Sequence, residues 1–514
     1  MNQSLAVYTH FNGSLINKYC KNHHQIRSYV TPSTDLIYEE VDLSAVVVVI
    51  DYGMLYESCY TQTNFSIAKS FNTVLDGYFE YVKTLTSLSN RIMVIGLITN
   101  VFSISFFDNY LKDGYISQID SFAKRIRSHL DQTLKGIYVS YQSKTYRDET
   151  VHKMSSTLGA TYDPVLFKEV GIAIDSFSNA FQAGCKAIIF DLDNTLWKGI
   201  IGEGFQNTSL GDPKLDDAGY YYLRHYVRLA YETGIFTAIC SKNDINTLQQ
   251  ELDKSGLNDF LNYFTVIKAN WSDKSKNITQ IANELNIGLD ACVFIDDNPR
   301  EVANIISKLP QVQVLNAADG PWRTLEHLIE SQYVKRHLVL DDDITRNKTM
   351  SLRIKDNNYK EKQSNANNFE HEAEFYECDI SLSATQMRVE QLSLKTNQFN
   401  LSTRRLTWNY IDSLIHNNLK IIVYGGKDKY GDLGIIGYVL YEITEDSILV
   451  LDWIMSCRAF GLKLEYKALK IISERHNINS FKVQYDKNDR NKIVLPFFKN
   501  LEGFEIEIVK SEVM

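Results

Sequence analysis

The sequence predicts a multi-domain α/β protein: an α/β domain over residues 1–175, a second α/β domain with a parallel sheet over 176–340, and a small α+β domain over 376–514. Three observations carry this reading. Short apolar runs alternate with helix-length amphipathic segments through the first 340 residues; a polar stretch, 341–375, then interrupts the pattern; after Leu419 strand-like runs follow one another closely. A chain of 514 residues is also too long for a single core, which usually serves about 100–200 residues.

In the first domain the runs are Ala45 to Ile50, Arg91 to Ile98 and Ile137 to Ser140, separated by longer amphipathic segments, the rhythm of a parallel sheet covered by helices. In the second they are Ala187 to Phe190, Phe236 to Cys240, Phe264 to Lys268 and Cys292 to Ile295, each followed by a helix-compatible segment, which reads as a doubly wound sheet. The stretch Asp341 to Phe375 has almost no apolar cluster and reads as a surface helix or linker. Beyond it, KIIVYGG, GIIGYVLYEI and DSILVLDWIM read as antiparallel strands, LKLEYKALKIISERH as an amphipathic helix and FKVQYD as a further strand.

Composition narrows the partners. A formal net charge of −9 provides no broad basic field for nucleic acid or anionic lipid. Seven cysteines without CxxC spacing fit neither a disulfide framework nor a zinc site, and point to a reducing, cytoplasmic setting. The first residues lack a signal-peptide pattern, and the longest apolar run is too short to span a bilayer.

The chemistry gathers at the ends of the central runs. Asp191 and Asp193 follow the first, two residues apart, so that a continuing strand would turn both to one side at the edge where open α/β sheets bind ligands. One carboxylate can attack phosphorus while the other protonates the leaving oxygen and later activates water. Asp296 and Asp297 close CVFIDDN and, with the first pair, suit an oxygen-ligated Mg2+. Ser241 supplies a hydroxyl, and Lys274, with Lys276 two residues on as the other cation in reach, a fixed positive charge. Taken singly, DxD also reads as a solvated turn and DDNP as a helix cap.

DLDNTLW, CSKND, WSDKS and IDDNP, in that order, resemble the four motifs of the haloacid dehalogenase (HAD) superfamily. The resemblance implies that Asp191 is the nucleophile and Asp193 the acid/base, that Thr195, Ser241 and Lys274 hold the phosphoryl group, and that Asp191, Asp193 and Asp296 gather the metal, with Asp297 a further carboxylate on or beside it. The gaps between motifs leave no room for a large cap domain.

WKGIIGEG, YDPVL, TNQFNLSTRR, DKYGDLGIIG and SCRAFGLKLE together are similar to the FkbH-like family, in which a HAD phosphatase domain is joined to a GNAT-like acyltransferase domain. The N-terminal part resembles the SGNH-hydrolase-like region of longer members. It has Asp51-Tyr52-Gly53 where a catalytic Gly-Asp-Ser would stand, so a docking or structural role is expected of it. The family implies that a glyceryl unit is taken from D-1,3-bisphosphoglycerate and loaded as a thioester on a phosphopantetheinylated acyl carrier protein, in polyketide-type biosynthesis. Cys457, beside Arg458, is then the candidate relay thiol, with Cys240 a lesser one, and Arg458 and Gly461 are candidate contacts to the acyl or pantetheine group. Lys463 stands where the GNAT pattern has a small residue, which disfavours coenzyme A and leaves a carrier-protein arm. Asp428, Asp432, Asn397, Gln398, Asn400, Arg404 and Arg405 are motif residues with either a ligand or a local structural role. The competing expectations are a stand-alone Mg2+-dependent phosphatase on a small phosphomonoester, and a non-catalytic carrier-docking scaffold.

Overall fold

The computed structural model describes residues 5–9 and 25–28 with a few between them, 45–62, 67–89, 91–99, 115–133, 136–142 and 163–179. It further describes 185–330 apart from 205, 207 and 258, then 339, 341–362, 373–499 apart from 489 and 490, and 501–509 apart from 502. The chain forms two compact units, one of Met1–Ala180 and one of Phe181–Lys335 with Val339–Met514.

The first unit holds a five-stranded parallel sheet of β1 (Leu5–Thr9), β2 (Gln25–Ser28), β3 (Ala45–Asp51), β4 (Ile92–Ile98) and β5 (Gly136–Gln142), in the order β2-β1-β3-β4-β5. Its helices are α1 (Tyr52–Gln62), α2 (Ile67–Leu88), α3 (Tyr115–Thr133) and α4 (Pro164–Asn179). β3 is buried along its whole length, as its unbroken apolar run requires of a strand covered on both faces. α3 buries Ile119, Phe122, Ile126 and Leu130, a stripe at three- and four-residue spacing. Asp51, the residue in place of a nucleophile motif, is buried and accepts bonds from Thr99 Oγ1 (2.6 Å) and the Met54 amide (3.1 Å). The expected runs all form strands, and β1 and β2 extend the same sheet beyond β3.

The second unit begins with β6 (Ala187–Phe190), β7 (Phe236–Ser241), β8 (Val266–Ala269), β9 (Cys292–Asp296) and β10 (Gln313–Asn316), parallel in the order β10-β9-β6-β7-β8. The helices are α5 (Ala218–Glu232), α6 (Ile245–Ser255), α7 (Lys274–Glu284), α8 (Pro299–Lys308) and α9 (Pro321–Glu330). Alternation along β6 sends Ile188 and Phe190 into a core with Leu223 and Val227 of α5, and Ala187 and Ile189 into one with Ile278 and Ile281 of α7. β6 therefore lies mid-sheet, flanked by β7 and β9, with its carboxyl end opening into the crevice between them.

The polar stretch is where the structure departs most from expectation. It forms α10 (Asp341–Ile344) and α11 (Arg346–Lys362), and the start of α11 is an internal clamp. Asn347 is fully buried: its Nδ2 donates to Tyr231 O (2.6 Å) and Ile235 O (2.8 Å), and its Oδ1 accepts from Thr265 Oγ1 (3.0 Å). Arg346 donates to Gly234 O (3.1 Å), while Met350 and Ile354 join the core beneath β6. Tyr231 lies in the last turn of α5, Gly234 and Ile235 immediately precede β7, and Thr265 immediately precedes β8, so the polar side chains are spent largely on backbone carbonyls at the amino-terminal edge of the sheet, which must be paired once buried. Residues 363–372 of the same stretch lie outside the described residues.

Packed beyond that clamp is a mixed sheet of β11 (Glu374–Glu377), β12 (Phe399–Asn400), β13 (Lys420–Asp428), β14 (Gly431–Ile443), β15 (Ile448–Met455), β16 (Ser480–Gln484) and β17 (Glu505–Val509). The order is β11-β13-β14-β15-β16-β17, with β12 on β15. The pairs from β11 to β15 are antiparallel; β15-β16 and β16-β17 are parallel. The helices are α12 (Ser383–Lys395), α13 (Trp408–His416), α14 (Leu464–His476) and α15 (Val494–Lys499). α14 makes the crossover that lets β16 return parallel to β15. Among the described residues no helix is long and apolar enough to cross a membrane, and all seven cysteines are free.

Candidate active site at the carboxyl edge of the central sheet

β6 ends at Phe190, but the Asp191 amide still donates to Ile295 O of β9 (2.8 Å), which fixes the first carboxylate at the sheet edge. The strand does not continue. Asn194 takes a left-handed φ of 56°, and the amides of Thr195 and Leu196 both donate back to Leu192 O, so the chain coils at once into a tight turn. That turn, rather than strand alternation, sets where Asp193 lies.

Lys274 lies at the first turn of α7, behind Asp273, whose side chain caps the helix by accepting from the Ser275 amide (2.8 Å). The lysine is 3% exposed, and its Nζ donates to Asp191 Oδ1 (2.7 Å) and Asp296 Oδ2 (2.6 Å). Lys276 faces solvent, so the helix period decides between the two cations. In IDDNP the capping role falls to Asn298, which accepts from the Arg300 amide (3.0 Å), leaving Asp296 to meet Lys274.

Oxygens of Asp191, Asp296 and Asp297 lie within 4.8 Å of one another, a set of hard donors suited to a divalent cation. Burial pushes the Asp191 carboxyl up to about 6; Lys274 opposes this and Asp296 adds to it. Asp296 and Asp297 are raised as well, each chiefly by burial. Burial works against the Lys274 ammonium, but Asp191 and Asp296 outweigh it and its pKa is raised. Three carboxylates share one ammonium, so a divalent cation bound there would offset the remaining repulsion. Asp193, expected among the metal carboxylates, is not in this group: its Oδ1 accepts from Trp197 Nε1 (2.8 Å) and the Ile201 amide (3.0 Å), and its Oδ2 from Asn243 Nδ2 (2.9 Å).

Thr195 and Ser241 complete the edge. Both are buried, and Thr195 Oγ1 has no partner in the protein. Ser241 ends β7 and its Oγ accepts from Asn243 Nδ2 (3.1 Å). Asn243 and Trp197 were missed in the sequence, although both sit inside recognised motifs; what marks them is a contact made only after the turn forms. Cys240 is buried, its Sγ donates to Lys274 O (3.7 Å), and its thiol is pushed up first by burial.

No protein-family model matches the sequence, and no curated protein matches it. Among solved structures the chain is similar to the N-terminal part of the protein BF1531 from Bacteroides fragilis, which contains a phosphatase domain and was crystallised in complex with Mg. The two are 19% identical over 65% of this chain and 94% of that one, with a TM-score of 0.52. They share a fold. A second match, an uncharacterized protein from Corynebacterium glutamicum, is 14% identical over 30% of this chain and all of that one, and its TM-score of 0.20 is too low to carry an argument.

The C-terminal candidates lie elsewhere. Cys457 opens a short 3-10 turn after β15 and packs, half-buried, against the core beneath β6, near Lys186; the adjacent Arg458 bonds Asp342 O of α10, and Arg346 just beyond α10 bonds Gly234 O ahead of β7. Lys186 immediately precedes β6 and Asp191 immediately follows it. Five extended residues separate the two by roughly 16 Å, so Cys457 and the carboxylate cluster belong to opposite edges of one sheet. Arg458, expected to meet a ligand, is turned inward: Nη1 donates to Asp342 O (3.0 Å), its own carbonyl accepts from Arg353 Nη1 (2.7 Å), and burial, then Arg388 and Arg346, pull its pKa down to about 9. Gly461 has a φ of 80°, a conformation that favours glycine for the turn itself, and a Cβ there would meet nothing within 4 Å beyond its chain neighbours. Asp428 pairs with Arg353, and Asp432 accepts from Tyr376 Oη (2.6 Å). Asn397 and Asn400 hold the 393–405 loop by bonding Arg405 and the Thr403 amide, and Arg405 donates to Ser393 O and Thr396 O. Each of these motif residues therefore has a partner within the chain. Gln398 Oε1 is buried without a partner, and Tyr162 of YDPVL lies outside the described residues.

Proposed function

We propose that the carboxyl edge of the central sheet is a Mg2+-dependent phosphoryl-transfer site of the HAD kind, acting as a phosphatase. The observation that carries it is the convergence of Asp191, Asp296 and Asp297 with buried Lys274, beside a buried Thr195 hydroxyl that has no protein partner and so awaits an outside acceptor. Asp191 attacks phosphorus, Asp193 hands a proton to the leaving oxygen and later takes one from water, and Thr195, Ser241 and Lys274 hold the phosphoryl oxygens. Mg2+ held by Asp191, Asp296 and Asp297 would neutralise phosphate charge during transfer. The solved structure that shares this fold carries Mg, which supports the choice of metal. The test is release of inorganic phosphate from a phosphomonoester in Mg2+. Activity should vanish in EDTA and fall by about 10^3-fold or more in Asp191→Asn; a variant that retains wild-type rates would sink the proposal.

The finer reading is FkbH-like: loading of a glyceryl unit from D-1,3-bisphosphoglycerate onto a phosphopantetheinylated acyl carrier protein, with Cys457 as relay. It rests on the motif resemblance and on the mixed C-terminal sheet that presents Cys457. The separation of Cys457 from Asp191 requires the acyl group to travel on a long arm between two places. The same separation favours a second reading, a stand-alone phosphatase indifferent to Cys457. Intact-mass measurement of carrier incubated with the enzyme, Mg2+ and D-1,3-bisphosphoglycerate separates them. A glyceryl mass increase lost in Cys457→Ser supports loading; phosphate release with no carrier adduct and no effect of Cys457→Ser supports the simpler enzyme.

A further inference from the structure

We infer that Asn243, assisted by Trp197 and the Ile201 amide, is a positioning residue that aims Asp193 at the leaving oxygen; the inference rests on the phosphatase reading above. Three N–H donors converge on one half-buried carboxylate. Trp197 Nε1 and the Ile201 amide both take Oδ1, which fixes the plane of the group and leaves Oδ2 as the oxygen able to exchange a proton. Asn243 Nδ2 holds that Oδ2 at 2.9 Å and at the same time reaches Ser241 Oγ at 3.1 Å. One amide thus ties the acid/base to the serine expected to bind the phosphoryl group, setting the distance between the proton donor and phosphorus. The supports are stiff: Trp197 is fully buried, Asn243 is 6% exposed, and Ser241 is the last residue of a buried strand.

The chemistry that needs this placement is balanced as follows. An Asp191 oxygen forms a bond to phosphorus as the bond from phosphorus to the leaving oxygen breaks. That oxygen keeps the electron pair and receives the Asp193 proton. Water then attacks the aspartyl-phosphate, losing its proton to Asp193 while the bond between Asp191 and phosphorus breaks, so that the products are an alcohol and inorganic phosphate. Only a poorly stabilised leaving oxygen depends on the proton, so misplacing Asp193 should cost more with an alkyl ester than with an aryl ester.

The experiment compares full-length wild-type, Asn243→Ala, Asn243→Ser and Trp197→Phe in Mg2+ on glycerol 3-phosphate and p-nitrophenyl phosphate, with circular dichroism melts identifying variants that fold. Each folded variant should lose kcat/KM, which reports only the steps up to departure of the leaving oxygen, about 10–100 times more on the alkyl ester than on the aryl ester. Equal losses on both esters, or none, overturn the positioning role while leaving the phosphatase reading intact. Absence of hydrolysis by wild-type protein overturns that reading and this inference together.

Discussion

Replacing Lys274 by Met keeps most of the side-chain volume and removes the charge that joins Asp191 to Asp296. The lysine is buried and its Nζ lies 2.7 and 2.6 Å from the two carboxylates, so the variant leaves buried charge uncompensated. Removing one partner of such a pair costs about 3–5 kcal/mol, which for a unit of this size is a fall in melting temperature of about 5–15 °C. The loss must depend on pH. Burial already pushes the Asp191 carboxyl up to about 6 with Lys274 in place, and losing the opposing cation moves it higher. A carboxyl raised on folding contributes stability that is complete below its unfolded pKa and is lost as pH rises through its folded pKa. The gap between variant and wild type should therefore be small at pH 5 and full at pH 8. Added Mg2+ should recover part of it by returning positive charge to the cluster, while hydrolysis at pH 7.5 should remain down by about 10^2–10^3-fold. Scanning fluorimetry across pH, with EDTA or Mg2+, reads all of this. Equal melting of variant and wild type at pH 8 in EDTA would refute the buried triad.

Three further outcomes are expected. For the wild type, Mg2+ should raise the melting temperature more at pH 8 than at pH 5, because Asp191, Asp296 and Asp297 are all raised by burial and are less ionised at the lower pH; an equal shift at both would place Mg2+ elsewhere. Asn347→Ala should destabilise by about 2–4 kcal/mol, since three buried backbone or hydroxyl groups lose their partner, and urea unfolding followed by tryptophan fluorescence would contradict the clamp if the loss stayed below about 0.5 kcal/mol. Gly434→Ala should lower the melting temperature, because φ is 64° there and the new Cβ would sit 1.9 Å from Asp342 Oδ1, for a cost of about 1–3 kcal/mol; unchanged melting would mean that α10 does not press on the β13-β14 hairpin.

Much of the central sheet was legible because buried parallel strands read as unbroken apolar runs, and the carboxylates stand where those runs stop. Asp191 and Asp296 are placed by that rule alone, since a strand that ends at a sheet edge delivers the next side chain there whatever the rest of the chain does. The shorter strands were not legible: Gln313–Asn316 and Glu374–Glu377 are half-polar edge segments without a period to detect. The motif resemblance points to Lys274 over Lys276, and tertiary structure supplies the reason: Lys274 is on the face of α7 that meets the sheet, while Lys276 is exposed. Tertiary structure also decided that Asp193 binds three N–H donors, through a turn whose left-handed Asn194 no alternation rule anticipates. The polar stretch misled for the same physical reason: polarity marks a need for hydrogen bonds, and Asn347 satisfies it with buried carbonyls instead of water. The sequence, then, determined which chemical groups end each central strand, because that is local. Which groups touch, and that Cys457 stands at the opposite edge from Asp191, followed from packing between segments well separated along the chain, as when Lys274 meets Asp191 and Asn243 meets Asp193.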